Sequence, residues 1–204
     1  MNIFFTSDLH FCHNKEFLYG PRGFTNEKEM NEAIVENWNS VVKADDIVWN
    51  LGDMAMNDIA DAIPYLNMLN GTQYWLLGNH DTNNKVERIL KSCWKISVPA
   101  LTYANLEKIG GMSIYMSHYP TLTANYDDKH FSRHVINLHG HTHQHTNWLD
   151  PRNPFMYHVG MDSHNCTPVH IDEIMTDIRQ RWNELGQLPT PAKPEDLYPY
   201  GGMI

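Results

Sequence analysis

Five times along this chain a short apolar run breaks off into a polar cluster. "NIFFTS" runs into Asp8-Leu9-His10, "IVWNL" into Gly52-Asp53, and "YWLL" into Gly78-Asn79-His80-Asp81. "MSIYM" runs into Ser117-His118, and "VINL" into His139-Gly140-His141-Thr142-His143. Runs this short suit buried strands rather than helices. Buried strands demand sheets, and in layered α/β folds sites form where strands end and loops begin. The pattern therefore limits the fold and marks one end of the strands as the place for chemistry.

The segments between the runs support an α/β reading. "NEKEMNEAIVENWNSVVK" has the helical period, with Asn26 placed to cap it, Glu29 three residues on, and Met30, Ile34, Trp38 and Val41 on one stripe. "NDIADAIPYLNMLNG" places Ile59, Ile63, Leu66 and Leu69 on one side and closes at Gly71, and Pro64 is expected to kink or divide it. "KVERILKSC" reads as a short helix, and "DEIMTDIRQRWNELG" as a longer one buried along Ile174, Ile178, Trp182 and Leu185. "ALTYANLEKIGGMSIYMSHYP" reads as two strands around a Gly110-Gly111 turn. "FMYHVGMD" and "CTPVHI" read as further short strands. Strand and helix alternate in the first half, and strands dominate the second. The expected organisation is one domain over residues 1–185, with a Pro/Gly-rich tail over 186–204.

Composition narrows the function. A net charge of −9 disfavours broad electrostatic binding to nucleic acid. It leaves phosphate substrates open, because bound metal ions would reverse the local sign. No apolar run approaches the roughly 20 residues a membrane span needs. "MNIFFTSD" has neither the basic start nor the apolar stretch of a signal peptide, so the expected location is the cytoplasm. Cys12, Cys93 and Cys166 form no CxxC pair, which argues against a disulfide framework or a zinc ribbon. Carboxylate and imidazole together in the clusters suit Mn, Fe, Zn or Ni.

Each cluster alone has an ordinary reading as a capped turn; their joint occurrence in this order does not. DxH, GD, GNHD, a lone His and GHxH together resemble the calcineurin-like metallophosphoesterases, in particular small bacterial and phage members, from residue 1 to about residue 175. "TSDLHFCHN", Arg22-Gly23-Phe24, "ENWNSVV" and "VGMD" add to the likeness. "SHYP" departs from a commoner Gly-His but keeps the imidazole. The resemblance implies a layered αββα fold, with two mixed sheets packed face to face and flanked by helices.

It also implies two divalent metal ions, Mn being the expected ion in vitro. Asp8, His10 and His143 would hold the first; Asn79, His118 and His141 the second; Asp53 would bridge them. The implied chemistry is hydrolysis of a small phosphoester by a hydroxide between the metals, a nucleotide-like phosphodiester being favoured and a monoester remaining open. His80 has the chemistry of a general acid for the leaving alkoxide. Either Asp81 or a backbone carbonyl would orient the His80 ring. The competing reading is a binding or scaffold protein that keeps the fold without catalysis, against which every implied ligand and His80 are present. The chain is too short for the extra cap of the family's repair nucleases, so duplex nucleic acid is not the expected partner.

Other residues carry weaker signals. His13 and Arg22 are candidate substrate contacts, Arg22 as a phosphate clamp. His130 and Arg133 lie in a polar loop between the fourth and fifth clusters, expected to hang over the site. His158, His164 and His170 read as structural or exposed. Asp162 matches a recurring family position behind the ligands. Within "LHGHTHQH", an uninterrupted strand would put His139, His141, His143 and His145 on one face. Ending the strand at about His139 instead presents His141 and His143 to different metals and leaves His139 and His145 unligated.

Overall fold

The computed structural model describes residues 1–98 and 103–186. In chain order its elements are β1 (Ile3–Thr6), α1 (Glu16–Tyr19), α2 (Glu27–Val41), β2 (Ile47–Asn50), α3 (Ile59–Met68), β3 (Thr72–Trp75) and α4 (Asn83–Ser92). There follow β4 (Ile96–Ser97), β5 (Ala104–Ile109), β6 (Met112–Ser117), β7 (Val135–His139), β8 (Met156–His158), β9 (Val169–His170) and α5 (Ile171–Glu184). The expected tail lies outside the described residues, apart from Gly186.

The first sheet has the order β4-β3-β2-β1-β9. β1 to β4 are parallel, because α2, α3 and α4 carry the chain back between successive strands. β9 pairs antiparallel with β1. The second sheet, β5-β6-β7-β8, begins as a hairpin and continues with parallel pairs β6-β7 and β7-β8. Gly110 and Gly111 make the hairpin's two-residue turn, with φ of 57° and 85°. Left-handed φ at both central positions belongs to the turn whose twist matches flanking strands, and glycine takes it without strain.

Alternation along the strands sorts the core into two layers. Phe4, Val48 and Trp75 pack with Met30, Ile34 and Trp38 of α2 and with Ile59 and Leu66 of α3. Phe5 and Trp49 point the other way, joining Ile114, Met116, Ile136, Leu138 and Tyr157 of the second sheet. Ile174, Ile178 and Trp182 of α5 complete that inter-sheet layer. The layered architecture agrees with the family expectation, with its two mixed sheets and flanking helices.

Local signals held where the backbone needed them. Asn26 caps α2 by accepting from Glu29 N at 2.9 Å, and Glu29 returns its carboxylate to Thr25 N at 2.8 Å. This is a capping box displaced by one residue. Pro64 does not divide its helix: Ile59–Met68 is continuous, with Pro64 on the exposed side. The missing proline N–H costs one helical hydrogen bond, which the buried Ile59, Ala62 and Leu66 outweigh.

Candidate metal centre

Because β1, β2 and β3 run parallel, and β6 and β7 likewise, the five polar clusters emerge from strand ends and meet between the sheets. Ser7 bridges to Gly160, Gly140 N donates to His118 O at 3.0 Å, and His141 N donates to Asp8 Oδ2 at 2.9 Å. Gly78 and Gly140 are needed for this approach. A Cβ on Gly78 would collide with Asp53 Oδ1, and one on Gly140 with Ser7 Oγ and Asp8 Oδ2.

The backbone is contorted at the same place. Asp8, His10, Asp53, His141 and His143 all have φ between 48° and 68°. Left-handed backbone at non-glycine residues is uncommon and costs of order 1 kcal/mol each, so its concentration on candidate ligands marks a functional site.

Hydrogen bonding fixes the tautomers. His118 Nδ1 lies 2.9 Å from Leu51 O; a carbonyl only accepts, so Nδ1 carries the proton and Nε2 is a lone pair. That lone pair lies 2.8 Å from Asn79 Oδ1, which is 2.9 Å from His141 Nδ1. His143 Nδ1 lies 2.9 Å from Asp162 Oδ2, so its Nε2 faces Asp8 Oδ1 at 3.8 Å as an acceptor. Asp8 Oδ1 and both nitrogens of His10 are buried and have no hydrogen-bond partner. Asp53 Oδ2 stands between the groups, 3.6 Å from His10 Nε2 and 3.4 Å from His118 Nε2. Buried carboxylate oxygens and imidazole nitrogens that converge while Asp8 Oδ1 and His10 stay unpartnered fit a divalent cation. Two overlapping groups meet this description: Asp8, His10 and His143, and Asp8, Asp53 and His118. Asp8 therefore borders both.

The titration behaviour follows from burial and neighbours. Burial opposes ionisation of Asp8, yet His10, His118 and His143 hold its carboxyl well below the usual range. Burial pushes His10 down despite Asp8. Burial, and then His118, push His141 down. These shifts favour deprotonated imidazole beside carboxylate, the forms that bind metals. His143 is the exception. Burial works against its charged form, but Asp162 raises it overall.

The structure corrects three functional expectations. Arg22 is not a phosphate clamp. Its guanidinium is buried, donating to Asp162 through Nε and Nη2 at 2.9 Å each and to Asp8 O at 2.8 Å. It locks Asp162 against His143 and ties both to the first cluster's backbone. Asp81 does not orient the His80 ring. Its carboxylate accepts from Gly78 N, Asp53 N, Met54 N and Trp75 Nε1, which knits the second and third clusters together. Among the described residues no group hydrogen-bonds the His80 ring, which sits half-buried 5.6 Å from the His10 ring, while His80 N donates to Asp53 Oδ1. His130 and Arg133 do not overhang the centre. Since β6 and β7 are parallel, the loop joining them must return to the start of β7, and both residues lie there. Five strand residues at about 3.3 Å each separate that end from the metal centre.

Other candidates fall into place. His13 is at the centre, its ring 5.3 Å from that of His10, and burial followed by His10 and His80 pushes it down to about 4. The strand ends at His139 as expected; that ring is buried against His158, Nδ1 donating to Gly140 O, and His145 is exposed. His170 caps α5 and His164 donates to His158 O. Tyr119 also borders the centre: its half-exposed ring stands edge-on to His141 at 4.5 Å.

Comparison with known proteins agrees with this geometry. Residues 1–153 match the calcineurin-like phosphoesterase superfamily domain. An uncharacterised protein of Methanocaldococcus jannaschii is 30% identical over 184 residues, covering 85% of this chain and 89% of its own. The gene 66 protein of Mycobacterium phage D29 is 28% identical over 198 residues, covering 88% and 98%. A protein of unknown function from Aquifex aeolicus shares the fold, with a TM-score of 0.62 at 20% identity over 86% of this chain and 98% of its own.

Proposed function

Because the chain belongs to the calcineurin-like phosphoesterase superfamily, we propose that it hydrolyses a small phosphoester, nucleotide-like phosphodiesters ahead of monoesters, at a centre holding two divalent cations. The observation that carries this is the convergence of carboxylate oxygens and imidazole nitrogens around Asp53. Asp8, His10 and His143 would hold one ion and Asn79, His118 and His141 the other, with the Asp53 carboxylate between. The donor set suits Mn, Fe, Zn or Ni, and Mn is the ion to supply first. Ions bound there supply the positive charge that draws in a phosphoryl group and acidify a water molecule.

The chain's own contribution is positioning and proton supply. Asp162 and Arg22 hold His143 in one tautomer, as partners behind metal-bound histidines do. His80 stands at the rim, free to turn and to donate a proton to a departing oxygen. His13 and Tyr119 border the space a substrate would enter. Three buried free thiols accord with a reducing compartment, the cytoplasm. No helix among the described residues is long and apolar enough to cross a membrane.

The test is direct. Metal-stripped protein is reloaded with Mn²⁺ and offered aryl phosphate monoesters and diesters. Expected are two ions per chain and hydrolysis, with the diester cleaved faster. Two ions bound with no hydrolysis of either ester would leave a metal-binding scaffold instead.

A further inference from the structure

We propose that the hollow at the opposite pole of the second sheet binds a phosphorylated small molecule of nucleotide size. It is formed by the Gly110-Gly111 turn, the start of β6 at Met112, the loop at Lys129, His130 and Phe131, and Arg179 and Trp182 of α5. Its volume is about 600 Å³, in the roughly 300–1,000 Å³ range of small-ligand sites. The metal centre lies at the carboxyl ends of β6 and β7, and this hollow at their amino ends.

The charge is the argument. On a chain of net charge −9, Lys129 and Arg179 line this one hollow, and no carboxylate lines it. The nearest acid in the loop, Asp128, is already engaged by Arg133 at 3.6 Å and by His130 N at 2.7 Å. Asp172 faces Arg179 only from the adjoining groove. Among the described residues neither Lys129 nor Arg179 has an ion-pair or hydrogen-bond partner. The Arg179 guanidinium instead rests over the Phe131 ring at 4.8 Å. That contact holds the charge in place while leaving its five N–H donors unused. A guanidinium and an ammonium that line one hollow with no acid among its lining suit phosphate. Phe131 and Trp182 add an apolar wall for the rest of the ligand.

The test uses full-length protein stripped of metal, so that phosphate recognition at the other pole is removed. Calorimetric titration with ADP, adenosine and a short oligonucleotide is paired with amide shift mapping. Expected is one ADP per chain, shifts centred on Gly110 and Gly111, and no binding of adenosine. The double variant Lys129→Gln/Arg179→Gln should weaken ADP at least tenfold while leaving the fold and Mn-dependent hydrolysis intact. No ADP binding, equal binding by the variant, or shifts centred on His141 and His143 would each overturn the proposal. So would binding of the oligonucleotide alone, which would make the hollow a macromolecular contact.

Discussion

Replacing Asp162 by Asn tests how the metal centre is held together. The substitution preserves shape and removes one charge. Arg22 then loses the partner of a guanidinium that is 1% exposed, and Asp162 itself is 4% exposed. Breaking a buried pair from one side costs about 3–5 kcal/mol, because the remaining charge is left uncompensated. The geometry allows little escape. Asp162 Oδ1 accepts from Arg22 Nε, while Oδ2 accepts from both Arg22 Nη2 and His143 Nδ1. An amide places an N–H₂ at one of those oxygen positions, facing a donor whichever way it is turned. With a urea dependence of about 2–3 kcal/mol per molar for a chain this size, the metal-free variant should unfold at a midpoint about 1–2.5 M lower. His143 is also freed to rotate, so affinity for the first metal should fall roughly 10- to 100-fold. Urea melts with and without EDTA, and competition with a chromogenic chelator, measure the two effects separately. A midpoint within about 0.3 M of the unaltered protein, with metal affinity unchanged, would refute the reasoning.

The same unit sets a pH dependence. Burial opposes ionisation of Asp162, but His143 and Arg22 hold its carboxyl below the usual range. Its stabilising effect is therefore complete above the unfolded value near 4, and metal-free protein should lose it progressively in urea melts as the pH falls below that. Asp53→Asn should remove one ion and slow hydrolysis roughly 100-fold or more, read by metal analysis and turnover. His80→Ala should slow alkyl phosphoesters by about 10²–10⁴-fold yet nearly spare activated aryl esters; equal losses on both would remove it as the general acid. Gly78→Ala forces a Cβ onto Asp53, and should cost about 1–3 kcal/mol together with metal occupancy. A variant as stable and as metal-loaded as the parent would contradict the close approach.

The residues that belong at the centre were legible because each follows its own apolar run. A short apolar run ending in a polar loop is a local property, visible without knowing what it packs against. The end of β7 at His139, and with it the separation of His141 and His143 from His139 and His145, could be read the same way. Roles that depend on what a side chain meets could not. Arg22 and Asp162 are 140 residues apart, and only the fold makes one the partner of the other. Arg22 alone looks like any phosphate-binding arginine. Asp81 adjoins His80 in sequence, yet the turn aims its carboxylate back at four donors, two of them, Asp53 N and Met54 N, from the second cluster. The loop that carries His130 and Arg133 joins two clusters, which in sequence points to the centre. The parallel pairing of β6 and β7 returns that loop to the far pole. The sequence by itself determined most of the strands, the four longer helices and the candidate donor side chains, which are short-range consequences of apolar runs, helical period and side-chain chemistry. Tertiary structure alone decided which groups face one another, because strand direction and burial set those distances across the whole chain.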